Sequence, residues 1–175
     1  TKWPSPLRCK KRLAAQIGIV KATRIQSRLF LHTLSVANEI QSQDIADIQI
    51  AISGLSLKSI LKLRKLKNFS NLTIQGKGSL GTRMRKQMLI IQRKMPSRKI
   101  SKGVIFIGSD LPTLCTLDIK ESIKLLNSYP LVIGPSGDGG YWLLGLSAGF
   151  AKELPSWPFS QIPWGTNKVL EKTTS

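Results

Sequence analysis

Two aspartates mark where this chain could do chemistry. Asp110 closes the run "GVIFIGSD", Gly103 to Asp110, and Asp138 sits inside "GPSGDGGYWLLGL", Gly134 to Leu146. A carboxylate that ends a continuous apolar run lies at the carboxyl edge of a strand buried on both faces. Open α/β sheets bind their ligands at that edge. Asp138 is set among Gly137, Gly139 and Gly140, which let a chain turn tightly and let another group approach its backbone. Two carboxylates converging on one crevice suit Mg²⁺ or Mn²⁺ carried by phosphate, because Mg²⁺ takes one or two carboxylates together with phosphate oxygens and water. Plainer uses exist for each residue: Asp110 as the cap of the Leu111–Thr116 turn, Asp138 as a hairpin residue. Asp138 is also the one candidate proton acceptor. Tyr141 and Trp142 point to opposite faces of the strand that follows, so one can fill the core while the other walls a pocket.

Two more loops bring positive charge or open backbone. "KWPSPLRCKKRLA", residues 2–14, is proline-rich and then carries Arg8, Lys10, Lys11 and Arg12 as it leads into a helix. Backbone N–H groups and cations together suit a phosphate chain, although a solvated basic tail would have the same composition. "QGKGSLGTRMRK", Gln75 to Lys86, offers Gly76, Gly78 and Gly81 for close backbone approach, with Arg83 beyond them. It lacks the Gly-x-x-x-x-Gly-Lys-Ser/Thr spacing of a P-loop.

These loops need elements to hold them. Residues 21–40 repeat apolar side chains at helical spacing, with His32 as a packed or surface residue of that helix. The sequence predicts a strand over Ile45–Ser53 ended by Gly54, and a short basic helix over Ser56–Leu66. A brief strand over Leu72–Gln75 follows, then a helix over Leu80–Met95 with Met84, Met88, Ile91 and Met95 on its core side. Gly103–Asp110 reads as a strand, Leu117–Ser128 as a helix, and "YPLVIGP" and "YWLLGL" as two further strands. Strands alternating with helices predict a single α/β domain of three layers, α/β/α, with a mostly parallel sheet.

Composition bounds the function. The 175 residues are 41% hydrophobic, enough for a core, and no apolar run approaches the ~18 residues of a membrane span. No signal peptide is read, so the expected location is cytoplasmic, with Cys9 and Cys115 as reduced thiols. The net charge is +18, with no acidic residue before Glu39 and none between Asp47 and Asp110. Such a balance points to an anionic partner. The cations are not interleaved with aromatics, so a nucleic-acid platform is not favoured.

The motifs "P-x-P … K-x-R-L", "Q-x-x-G-x-L-G-x-R-M", "G-S-D-x-P-x-L" and "G-P-x-x-D-G-G-Y-W-L-L-G-L", ending in "I-P-W-G-T", occur here in order. In them the chain resembles a bacterial family of glycosyltransferase-A-like proteins. It is also similar to the 2-phospho-L-lactate guanylyltransferases and other nucleotidyltransferases. The resemblance runs from Lys2 to Thr173 and implies a nucleotide-diphospho-sugar transferase fold of Rossmann-like type. It implies a nucleotide or nucleotide sugar as partner, with Lys10 and Arg12 on the phosphates and Gln75, Gly76 and Gly78 beside the nucleobase or ribose. Arg83 joins the nucleotide-binding set. Asp110 would hold the divalent metal, Asp138 would face the metal or acceptor side, and Gly137, Gly139, Gly140 and Tyr141 would line the pocket. Glycosyl transfer is the expected reaction. The alternatives are guanylyltransferase-like nucleotidyl transfer to a small phosphorylated acceptor, a degenerate non-catalytic copy, or a basic nucleic-acid-binding module.

The chain departs from that pattern at Leu7, where glycine is usual, and at Lys11, where threonine is usual. Ser79 and Thr82 stand where acidic residues are usual. By the same resemblance both ends are expected to be incomplete, with a first strand before Thr1 and a final strand and helix after Ser175.

Overall fold

The computed structural model of the chain describes residues 1–64, 71–94, 103–153 and 156–175. They form two compact units, one of residues 1–74 with 109–116, the other of residues 75–108 with 117–175.

The first unit is built on a long helix. Helix α1, Lys11–Ile17, is followed at Gly18 by α2, Ile19–Ser42. Ala22, Gln26, Phe30, Val36, Ala37 and Ile40 are the buried residues of α2. The apolar spacing puts Ile25, Leu29, Leu31, Leu34, Val36 and Ile40 on the buried stripe. Of these Ile25 and Leu31 are exposed, because small and polar side chains take the inner face beside Phe30. The helix stops because Asp44 turns left-handed, φ 54°, and the Ile45 N–H bonds the Ile40 carbonyl at 3.1 Å. This exit uses up the first part of the expected Ile45–Ser53 strand, and the observed strand β1 is only Ile50–Ile52. Helix α3, Leu57–Arg64, is capped by Ser56, whose Oγ accepts the Ser59 N–H at 3.1 Å. Lys65 and Leu66 of that expected helix lie outside the described residues.

Strand β2, Leu72–Ile74, pairs with β1 in parallel. The N-terminal residues also hydrogen-bond with the β1 segment. The Ser53 N–H bonds Thr1 O at 3.0 Å, the Trp3 N–H bonds Ser53 O at 3.0 Å, and Lys2 bridges Ser53 in parallel. Phe30, Ile52, Ile60 and Leu72 form the core of this unit, with Trp3 packed edge-on against Phe30 at 5.8 Å.

The second unit contains α4, Leu80–Lys94, and a three-stranded sheet of β3, Val104–Ile107, β4, Leu131–Pro135, and β5, Tyr141–Leu146. Helix α5, Thr116–Leu125, joins β3 to β4, and the short helices α6, Ala148–Glu153, and α7, Val169–Thr174, follow β5. Met88, Leu144, Leu146, Ala151 and Phe159 form its core, with Met84 and Ile91 of α4 packed against it. The methionine stripe is therefore core as expected; Met95 lies outside the described residues.

The architecture is α/β, but the pairing balance departs from a mostly parallel sheet. The order is β3-β5-β4 and both pairings are antiparallel. Strands β3 and β4 do run in one direction, as a strand–helix–strand crossover requires. The tight turn after β4 then sends β5 back between them, so neither meets a parallel neighbour. Among the described residues parallel pairing is confined to the first unit.

Candidate functional site

In the first unit the loop after Trp3 turns at residues 6–9 and delivers Lys10 to the start of α1. Two non-glycine residues of this loop are left-handed, Leu7 at φ 62° and Lys10 at φ 48°. A side chain in that region costs roughly 1–2 kcal/mol. Leu7 is thus held in a conformation that suits glycine, at the position where the resemblance expects glycine. Bonds within the loop hold the turn, with the Arg8 N–H on Ser5 O at 3.3 Å and the Cys9 thiol on the same carbonyl at 3.2 Å.

The loop carries its cation to an acid a hundred residues away. Lys10 Nζ lies 3.0 Å from Asp110 Oδ2, with the Asp110 side chain 65% exposed. Asp110 is positioned from both sides. Ser109 Oγ and Thr1 Oγ1 are 2.6 Å apart, and His32 Nε2 meets the Leu114 carbonyl at 2.9 Å, tying the segment after Asp110 to α2. The role of His32 is therefore one of anchoring, which its place among apolar residues of α2 did not reveal. Arg12 is exposed on the first turn of α1. An exposed ion pair contributes about 0–1 kcal/mol, so Lys10 and Asp110 can be separated at low cost by competing ions.

In the second unit the glycine-bearing loop is closed by two side chains of α4. Arg83 Nη1 donates to Gln75 Oε1 at 2.7 Å, and Lys86 Nζ donates to Lys77 O at 3.1 Å. Gly76 and Gly78 have positive φ, 83° and 112°. Ser79 caps α4, its Oγ accepting the Thr82 N–H at 3.2 Å and meeting Thr82 Oγ1 at 2.9 Å. Both groups are uncharged hydroxyls, so the cap carries no negative charge.

Asp138 shapes its own turn. Its Oδ1 accepts the Ser136 hydroxyl and, at 3.1 Å, the Gly140 N–H. Ser136 and then the Gly140 N–H hold the carboxyl below the ordinary aspartate range. A lowered pKa makes a carboxylate a weaker proton acceptor near neutral pH. What comes close to Gly139 is the chain itself: a Cβ there would collide with the Asn167 carbonyl, and the Leu170 N–H bonds the Gly139 carbonyl at 2.9 Å. Gly137 faces open space. Tyr141 packs edge-on against Trp164 at 6.0 Å and joins the core, and burial pushes its phenol up. Trp142, on the other face, lies across Gly134, where a Cβ would sit 2.6 Å from Trp142 Cε2.

A model of one protein family, described as "Uncharacterized protein conserved in bacteria (DUF2064)", matches residues 36–166. The chain belongs to the DUF2064 family. The matched span takes in Gln75, Gly76, Gly78, Arg83, Asp110 and Asp138, while Lys10 and Arg12 lie before it. The chain is also similar to a solved structure from Desulfovibrio desulfuricans G20, described as a "putative nucleotide-diphospho-sugar transferase". The two share 24% sequence identity at a TM-score of 0.83, over 99% of this chain and 71% of that one. This DUF2064 chain therefore has the fold of that protein, a GT-A-like α/β fold. No curated protein matches it.

The donor set bears on a metal. Among the described residues of this DUF2064 member, no group of three or more His, Cys, Asp or Glu is placed to hold an ion. A self-sufficient protein cage is thus missing from them. One exposed carboxylate, Asp110, does fit a Mg²⁺ that arrives with phosphate and keeps its other waters. Asp110 belongs to the first unit and Asp138 to the second.

Proposed function

We propose that the chain binds a nucleotide sugar through Lys10, Arg12 and Asp110 and transfers its glycosyl group. The observation that carries this reading is the Lys10–Asp110 pair at 3.0 Å, set on a strained loop in a GT-A-like fold. Strained backbone clusters at ligand-binding loops, where the surrounding structure must hold it. A cation and a carboxylate at contact distance form a site for both halves of a metal–diphosphate: Lys10 moves onto a phosphate oxygen, and Asp110 is left for the divalent cation. Mg²⁺ or Mn²⁺ held there by Asp110 and the phosphates would supply further charge neutralisation at the diphosphate.

In the transfer, the bond between the anomeric carbon and the β-phosphate oxygen breaks and a bond to the acceptor oxygen forms. The nucleoside diphosphate leaves, and the acceptor proton passes to solvent or a base. Lys10 and Arg12 stabilise the charge that grows on the departing diphosphate. Gln75 and Arg83 of the second unit, bonded to each other beside Gly76 and Gly78, offer amide and guanidinium groups to a polar ligand. In this reading Asp138 organises its turn.

Titration calorimetry with nucleosides, nucleoside diphosphates and nucleotide sugars, each with and without Mg²⁺, tests the reading. Diphosphates are expected to bind more tightly than nucleosides, and Mg²⁺ to strengthen only the former. Asp110→Asn is expected to abolish the Mg²⁺ effect. Lys10→Ala with Arg12→Ala is expected to weaken diphosphate binding by ~1.5–3 kcal/mol per charged hydrogen bond lost. Equal affinity for nucleoside and diphosphate in the unaltered chain would sink the assignment. Release of pyrophosphate from a nucleoside triphosphate, in place of nucleoside diphosphate from a nucleotide sugar, would replace glycosyl by nucleotidyl transfer.

A further inference from the structure

Helix α2 is amphipathic in the ordinary sense on its inner face, where Ala22, Gln26 and Phe30 are buried. Its outer face is not ordinary. At successive turns that face presents Val20, Arg24, Arg28 and Leu31, with Val20 64% and Leu31 61% exposed. A solvated helix face is normally polar all along its length. Between the start of α2 and the loop before α1 lies a groove of about 370 Å³, lined by Pro6, Ile19 and Val20 together with Arg24 and Arg28. Leu7, next to Pro6, is 67% exposed.

The segment that carries this face has charge of one sign along the sequence. The chain holds eight Lys or Arg and no Asp or Glu before Glu39. Neither Arg24 nor Arg28 has an acidic partner among the described residues. Unpaired cations flanked by exposed aliphatic side chains fit a surface that is anionic outside and apolar within. A phospholipid bilayer has that profile: guanidinium groups meet the headgroup phosphates while Val20, Leu31 and Leu7 enter the acyl boundary. Nucleic acid fits less well, because the face offers no aromatic ring for a base. Trp3 and Phe30 are packed on each other in the core. Among the described residues no helix is long and apolar enough to cross a membrane, so contact is with the surface.

We infer that the outer face of α2, with the adjoining groove, docks on anionic phospholipid membranes. Val20, Arg24, Arg28 and Leu31 are distinct from Lys10, Arg12 and Asp110, so substitutions at these four positions separate docking from nucleotide binding.

Sedimentation of the full chain with vesicles tests this. It is expected to pellet with phosphatidylcholine–phosphatidylglycerol vesicles and to stay in solution with pure phosphatidylcholine. Arg24→Gln with Arg28→Gln is expected to weaken the binding about 30-fold, the loss for two cations near an anionic surface. Val20→Ser with Leu31→Ser is expected to weaken it on the order of 10-fold through lost apolar contact, with an unchanged circular dichroism spectrum. The charge-matched control Arg85→Gln with Arg93→Gln, on exposed positions of α4, is expected to lose far less. An equal loss in the control would mean that net charge alone drives binding and would overturn the proposal. Unchanged binding after the aliphatic substitutions would do the same. So would displacement from vesicles by single-stranded DNA with no effect of those substitutions, which would assign the face to nucleic acid. A self-association abolished by Val20→Ser with Leu31→Ser, without vesicle binding, would assign it to a second copy of the chain.

Discussion

Asp138 spends one carboxylate oxygen on the Ser136 hydroxyl and the Gly140 N–H. Both bonds are stronger to the charged form, so the folded chain holds this carboxyl below its ordinary value of 3.8. The sign of the linkage follows. The stabilisation is fully present above the unfolded value and is lost as pH falls from there through the lower folded value. Asp138→Asn is expected to remove that acid limb: its urea midpoint should fall less than that of the unaltered chain between neutral pH and pH values below 3.8. The gap at neutral pH should be small, because the group is exposed and solvent screens it. Parallel midpoint curves would show that the turn does not depend on the charge. Lys10 and Asp110 make a contrasting pair. Their contact is exposed and cheap to open, and its value lies in what each group can bind once they part.

At the scale of elements, the β4–β5 turn shows how one glycine can be required and its neighbour dispensable. Gly139 sits at φ 81° with the Asn167 carbonyl against it, whereas Gly137 faces open space with no positive φ. Gly139→Ala must bear both the left-handed backbone and displacement of the segment that leads into α7. Together these amount to a loss on the order of 2–4 kcal/mol. Gly137→Ala is expected to be near neutral, or slightly stabilising through the unfolded chain. Thermal or urea melting of the two variants separates them, and similar losses would mean that the Asn167 contact is not what selects glycine. The same turn accounts for the sheet order. A five-residue return, residues 136–140, places β5 beside β4 at once, before any longer connection could bring β4 beside β3.

At the scale of the whole molecule, each unit has its own hydrophobic core. Ile52 belongs to one cluster and Met88 to the other, and no residue is shared between them. Ile52→Ala and Met88→Ala are each expected to cost roughly 2–5 kcal/mol, since both side chains are fully buried. Because the clusters share no member, the losses should add in the double variant to within about 0.5 kcal/mol. Urea unfolding of the three variants measures this; a larger deviation would mean that the two cores are energetically coupled. Spread over both units is a net charge of +18, which favours any anionic partner before geometry selects one.

The amino-acid sequence alone determined the kind and order of the elements. Apolar spacing in α4, the continuous run ending at Asp110, and the glycine-rich turn at Asp138 are local signals, and local periodicity reports a buried face where one stripe is apolar. In α2 apolar residues lie on both faces, so the spacing marks the helix but not its buried face, and Ile25 and Leu31 are exposed. The family motifs carried the fold class for the same reason: they are short, and each lies within one loop and its flanking element. Periodicity does not report which element will cover that face. Only the tertiary structure placed β5 between β3 and β4, set the Lys10 ammonium on a carboxylate a hundred residues away, and brought Asn167 to Gly139. It also decided that Leu7 adopts a backbone suited to glycine and that His32 anchors the Leu114 carbonyl. Each of these contacts joins groups distant along the chain or is imposed on a residue by its surroundings. Its free energy depends on the packing of the rest, and no neighbouring residue encodes it.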